Sequence, residues 1–232
     1  MQEMNGEIEF IIADDNSPDN TQQIVKAITA EHPKSIHIRY TRHSENKGMV
    51  ANFKWAIQQA TGKYVAICEG DDYWTDPHKL QKQVDFLNNN SDYVLCFHEV
   101  SVLTPDNELK KDFITCPPND DIDIVTLAQY GNFIHTPSIV FRNMPHVFPD
   151  SLLQSPIGDY CLQMVLAESG NFKILHDNMA VYRFGSGIWS SQDSFTSQLK
   201  TAKTHMILAG YFESRHNASI MNILLDRAYH HR

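Results

Sequence analysis

Residues 64–77 read YVAICEGDDYWTDP. The first five, YVAIC, are apolar along their length and are bounded by Gly62 on one side and Gly70 on the other. A short apolar run between turn residues reads as a buried strand. That strand empties into Glu69, Asp71 and Asp72, three carboxylates within four positions. Carboxylates so close repel one another and cost stability unless a cation or hydrogen-bond donors neutralise them. A solvated acidic turn is the plain alternative, but the aromatic pair Tyr73-Trp74 that follows is not loop composition. Hard oxygen ligands suit Mg2+ or Mn2+, ions that keep coordination positions for substrate phosphates.

The flanks carry the same alternation of strand and helix. Upstream, IEFIIA (8–13) is a strand that runs into the turn DDNSPDN, where Ser17 is expected to cap a helix and Pro18 to open it. Ile24, Val25 and Ile28 share one face of that helix, and IHIRY (36–40) is the next strand. Phe53, Ala56, Ile57 and Ala60 then recur at helical spacing up to Gly62. Downstream, Asp76-Pro77 starts a helix with Leu80, Val84 and Leu87 inside, and YVLCF (93–97) is a fourth strand. Near-continuous apolar strands alternating with amphipathic helices predict an α/β fold with a mostly parallel sheet covered on both faces.

The second half is less regular. A hairpin is expected over 100–113, turning at Thr104-Pro105-Asp106-Asn107. A short helix follows at 124–129, then a strand at 138–141 and a helix from Asp159 to Ser169 closed by Gly170. Two short strands are expected at 172–175 and 179–182, and a terminal helix pair at 198–211 and 218–229. The expected organisation is one α/β domain over 1–191 with a helical extension, 192–232, packed on it.

Composition narrows the function classes. A chain of 232 residues can bury one sizeable core. A net charge of −9 argues against a partner held by its nucleic-acid backbone, and implies that a cation mediates contact with any phosphate ligand. The four cysteines form no CxxC pair and no zinc spacing, which points to reduced thiols and a cytoplasmic setting. No apolar run approaches the ~18 residues of a membrane span, and MQEMNGEIEF has neither the basic start nor the apolar stretch of a secretory leader. There is no HExxH pair and no GxxxxGK[ST] loop.

Two further acidic groups stand at strand or helix ends, the edge where open α/β sheets bind ligands. Asp14-Asp15 reads equally as a turn before a helix. A calcium loop counted from Asp15 fails, because its sixth residue is Asn20 and its twelfth Lys26. Asp159, in PIGDY, is by itself an ordinary helix cap.

Taken in order, these segments resemble family 2 glycosyltransferases, the large inverting group with a GT-A (Rossmann-like) nucleotide-diphospho-sugar transferase fold. IEFIIADDNSPDNT looks like the second strand and its turn, and NKGMVANFKWAIQQATGKYVAICEGDDYWTDPHKLQKQVDFL like the passage through the DxD-type motif. FIHTPSIVFRN, PIGDYCLQMVL and MAVYRFGSGIWSS resemble the later parts, so the likeness runs over about residues 7–191. The resemblance implies a nucleoside-diphosphate sugar donor, a UDP-sugar first, and a saccharide or lipid-linked acceptor at or near the inner face of a membrane. It implies that Asp15 contacts the base, that Asp71 holds the ribose or lies in the outer shell of the metal, that Asp72 binds a Mg2+ or Mn2+ ion and that Arg183 contacts a phosphate. Glu69 stands where relatives carry the first aspartate of the motif, and Asp159 would be the general base. The histidine that relatives carry shortly after Tyr-Arg is replaced here by Phe184-Gly185, while Trp189 could pack on acceptor or donor. MQEMNGE resembles the end of the family's first helix, so the family's first strand is expected to be absent and its neighbours to show unpaired edges. A non-catalytic remnant of such a domain and a nucleotidyltransferase or phosphohydrolase remain as alternatives.

Overall fold

The computed structural model describes residues 2–31, 36–185, 187 and 193–230. It opens with a βαβ unit: β1 (Ile8–Asp14), α1 (Thr21–Glu31) and β2 (Ile36–Arg42). The two strands run parallel, with Ile8 opposite Ile36 and Asp14 opposite Arg42. α1 starts later than the sequence predicts. Asp14 accepts the Ser17 N–H at 2.7 Å and Asp19 accepts the Thr21 N–H at 3.0 Å. Ser17 is thus held inside an aspartate turn and caps nothing.

α2 (Met49–Gln59) packs on β1 and leads into β3 (Tyr64–Ala66), the acidic turn, β4 (Tyr73–Trp74) and α3 (Lys79–Asn89). The long β5 (Tyr93–Leu103) turns through a hairpin to β6 (Leu109–Lys111). Asn107 at its tip adopts φ 59 and donates its N–H to Thr104 O at 2.9 Å. After β7 (Asp121–Ile122), α4 (Ile124–Tyr130), β8 (Val140–Arg142) and α5 (Gly158–Leu166) comes β9 (Asn171–Arg183), followed by α6 (Ser194–Ser214) and α7 (Ala218–His230).

The main sheet runs β3-β8-β5-β9-β4, with β6 on β5 and β7 on β9. The α/β class holds, but the sheet is mixed rather than mostly parallel. Among the described residues only β1·β2 and β5·β9 are parallel ladders. Apolar runs report burial on two faces, and burial does not fix strand direction. The two short strands expected at 172–175 and 179–182 are one strand. His176 and Asp177 bulge out of it where the register steps from His98↔Leu175 to Glu99↔Asn178. That exposed polar interruption makes one strand read as two.

The core lies between β5, β8 and β9 and the helices. Leu95, Leu127, Ile139, Phe141, Leu162 and Phe172 are fully buried in it. Leu208 and Phe212 of α6 and Leu224 of α7 enter the same cluster, so the helix pair shares the core. Beside it, β1 and β3 are neighbours without a ladder. Glu9 of β1 accepts the N–H groups of Thr61 and Gly62, and Ile8 packs in one cluster with Tyr64 and Ala66. Yet β1 pairs with β2 and β3 with β8, and the facing edges have no ladder partner among the described residues.

Candidate active site

The acidic turn after β3 is tightened by its own backbone, with Asp72 N–H donating to Glu69 O at 3.1 Å. Its other wall is the end of β9. There the Arg183 N–H donates to Asp72 Oδ1 at 2.8 Å, and the Arg183 Nε donates to the Asp71 carbonyl at 2.9 Å. Arg183 therefore braces the turn through a backbone acceptor. One ligand oxygen from each of Glu69, Asp71 and Asp72 lies within 4.8 Å of the others. Asp72 is buried, and its second oxygen, Oδ2, has no hydrogen-bond partner among the described residues. A buried carboxylate oxygen left without a donor is costly. A divalent cation is the group such an oxygen set fits.

The proton affinities record the same crowding. Burial in the cleft, then the charges of Asp159, Asp72 and Asp71, push Glu69 up to about 8. The Glu69 side chain is nevertheless exposed to solvent. Burial pushes Asp72 up to about 6, against the pull of the Arg183 N–H and of the His135 and Arg183 charges. Behind the turn, Lys79 is fully buried 4.4 Å from the Trp74 ring centre and donates to Gln83 Oε1 at 2.7 Å. Burial pulls its ammonium down to about 7.

Asp159 lies in the first turn of α5, where Ile157 occupies the cap position, so it is not the helix cap. Its Oδ2 accepts from Asn132 Nδ2 at 3.0 Å and from Thr136 Oγ1 at 3.5 Å. Burial raises its proton affinity above the ordinary aspartate value. The charge of Asp159 also raises the proton affinity of Glu69, ahead of those of Asp72 and Asp71, so this carboxylate lies within electrostatic reach of the acidic turn. Asp15 stands at the end of β1 and takes the N–H groups of Lys47 (2.7 Å) and Gly48 (2.9 Å), holding the loop before α2. Trp189 lies outside the described residues.

Three side chains that sequence reading does not single out complete the site. Asn132 and Thr136 orient Asp159. His135 contacts Asp112 Oδ2 at 3.1 Å and packs on the Tyr182 ring at 4.5 Å. Hydrogen bonds from His135, Thr115 and Ile114 overcome the effect of burial and hold Asp112 well below the usual carboxylate range. Asn132 lies just before the segment FIHTPSIVFRN and His135 and Thr136 inside it, but that likeness assigns them no role, and it is the folded chain that brings them to the carboxylates.

A mixed, helix-covered sheet with carboxylates gathered at the ends of β3 and α5 defines the GT-A class. The glycosyl transferase family 2 model matches residues 2–147, and the chain belongs to that family. An uncharacterized protein of Mycobacterium tuberculosis is 36% identical over 97% of this chain and 61% of its own length. An uncharacterized glycosyltransferase of Nostoc sp. is 29% identical over 85% of this chain and 62% of its own length. The chain thus spans about three fifths of these relatives. Among solved structures, S. aureus TarS superposes with a TM-score of 0.64 at 15% identity, over 96% of this chain and 62% of that one. The mannosyltransferase PcManGT from Pyrobaculum calidifontis, solved with GDP-Man and Mn2+, gives 0.59 at 14% identity, over 97% and 64%.

Proposed function

We propose that this domain transfers a sugar from a nucleoside-diphosphate sugar to an acceptor hydroxyl, with inversion at the anomeric carbon. The observation that supports the reading is the cluster of Glu69, Asp71 and Asp72 oxygens, including Asp72 Oδ2, which has no hydrogen-bond partner among the described residues. Asp159 lies within electrostatic reach of that cluster. Membership in family 2, and a fold neighbour that binds GDP-Man with Mn2+, support it.

Asp72, with Asp71 and Glu69 beside it, would hold a Mg2+ or Mn2+ ion. A bound ion would supply positive charge where the departing diphosphate gains negative charge. Asp159 takes the proton of the acceptor hydroxyl, whose oxygen bonds to the anomeric carbon from the face opposite the leaving group. The bond from that carbon to the phosphate oxygen breaks, and its electron pair leaves with the nucleoside diphosphate. One base and one displacement give inversion. Asn132 and Thr136 hold Asp159 in place, and the Arg183 brace holds the acidic turn against β9. Asp15, at the sheet edge where such ligands bind, contacts the nucleotide base.

The test is isothermal titration with UDP and GDP, with and without Mn2+. The reading expects cation-dependent binding of one nucleoside diphosphate. A folded sample that takes up neither, with or without Mn2+, contradicts it.

A further inference from the structure

Behind the carboxylates lies a buried polar joint that the transfer chemistry leaves unused. It sits where α3 packs on β5 and β8. Lys79 and Gln83, one helical turn apart on α3, are both fully buried there. Lys79 Nζ donates to Gln83 Oε1 at 2.7 Å and stands 4.4 Å from the Trp74 ring centre. Gln83 Nε2 donates in turn to Ser138 O at 2.8 Å and to Cys96 O at 3.1 Å. Trp74 Nε1 donates to Pro137 O at 2.9 Å.

These three side chains join the two parts of the site. Trp74 follows Asp72 closely in the chain and is held in the β4–β9 ladder opposite Ala180. Pro137 and Ser138 belong to the buried single turn Thr136–Ser138, from which Thr136 Oγ1 reaches Asp159 Oδ2 at 3.5 Å. The carbonyls of that turn are thus gripped by Trp74 from the acidic side and by Gln83 from α3, and Lys79 touches both grips. As packing alone the joint is unfavourable. A buried ammonium loses its hydration, and Lys79 meets an amide and a ring but no carboxylate among the described residues. Burial pulls its proton affinity down to about 7. An apolar side chain of similar length would fill the place without that penalty. What Lys79 supplies instead is direction: its donor takes Gln83 Oε1, so that the Nε2 end of the amide faces the Ser138 carbonyl.

We propose that Lys79 and Gln83 are positioning residues for the transfer reaction, holding the cation-binding turn and Asp159 at a fixed separation. The inference rests on the transferase reading and adds to it the link between the two groups that the reaction needs. Both residues are closed off from solvent, so neither touches donor or acceptor. They act through Trp74 and the Thr136–Ser138 turn. A misplacement of about 1 Å can slow such a reaction about a hundredfold, which is the scale at which a joint of this kind matters.

Paramagnetic broadening of amide NMR signals by bound Mn2+ reads the separation directly, because it falls steeply with distance. It is measured on the full chain saturated with UDP or GDP and with Mg2+ carrying a small fraction of Mn2+, alongside thermal melting. In the native protein the Thr136 and Asp159 signals should broaden. Lys79→Met should melt no lower than native, yet change that broadening about twofold, as a shift of about 1 Å near the ion would. Lys79→Arg, which keeps a donor and a cation for the Trp74 ring, should bring it part of the way back. Trp74→Phe keeps a ring for Lys79 and loses only the bond to Pro137, and it should show the same change. Native broadening in Lys79→Met, or in Trp74→Phe where Lys79→Met does not fold, overturns the proposal and leaves the transferase reading standing. So does altered broadening that appears only together with lowered melting, the mark of a merely structural role. A native protein that takes up Mn2+ with neither nucleotide overturns the transferase reading instead and, with it, the positioning role.

Discussion

Asp159 carries a pH signature. A base works only when deprotonated, and burial raises the proton affinity of this one. Turnover should therefore be lost, as pH falls, at a value above that of an ordinary aspartate. Asp159→Asn should lower the turnover number by about 10²–10⁴ and leave nucleotide affinity near native. A variant of native activity would remove Asp159 from the mechanism. Glu69 gives a stability test. Its pKa rises from 4.5 to about 8 on folding, so the folded state binds the extra proton. Cation-free protein should lose stability as pH climbs across that window. Mn2+ should restore more stability at the upper end than at the lower. Thermal melts against pH check this, and Glu69→Gln should flatten the decline. The carboxylates were legible because an apolar run ending in three acids is a costly sequence without a ligand. Asn132 and Asp112 were not, since each is an ordinary loop residue until the fold joins it to Asp159 or His135. Asp15 shows a limit of another kind: its position was evident, but not its bonds to Lys47 and Gly48.

Among the elements, β5 and β9 carry the site, because the β9 end supplies the Arg183 brace and β5 aligns β9. Gly170 sits where α5 turns into β9. Its φ is not positive, so it is not there as a left-handed cap. A Cβ on it would stand 2.8 Å from Asp92 O, which already accepts the Asn171 N–H at 3.0 Å. Gly170→Ala should therefore cost about 1–3 kcal/mol in chemical denaturation, and a neutral result would contradict the close approach. Helix and strand content was readable from apolar periodicity, as α2, α3 and β5 show. Strand direction was not, because hydrophobic runs look the same in either direction. The bulge at His176-Asp177 was hidden for a related reason: two solvated polar residues break a pattern without breaking a strand.

For the whole molecule, two observations pull against each other. The core is continuous from β5 through α5 to the helix pair. The facing edges of β1 and β3, however, hold backbone groups with no ladder partner among the described residues, and such edges favour aggregation. The β1–β2 unit should open first, so amide exchange over Ile8–Asp14 should be faster than over Tyr93–Leu103. Equal protection would show that the two sheets unfold as one.

The central claim is that Asp72 and its neighbours hold a divalent cation for a nucleoside diphosphate. Electron paramagnetic resonance of Mn2+, titrated with the native protein and with Asp72→Asn, tests it most directly. The account predicts stoichiometric loss of the free-ion signal with native protein, tightened by UDP or GDP, and little loss with the folded variant. Equal uptake by both proteins, or none by either in the presence of nucleotide, would contradict it.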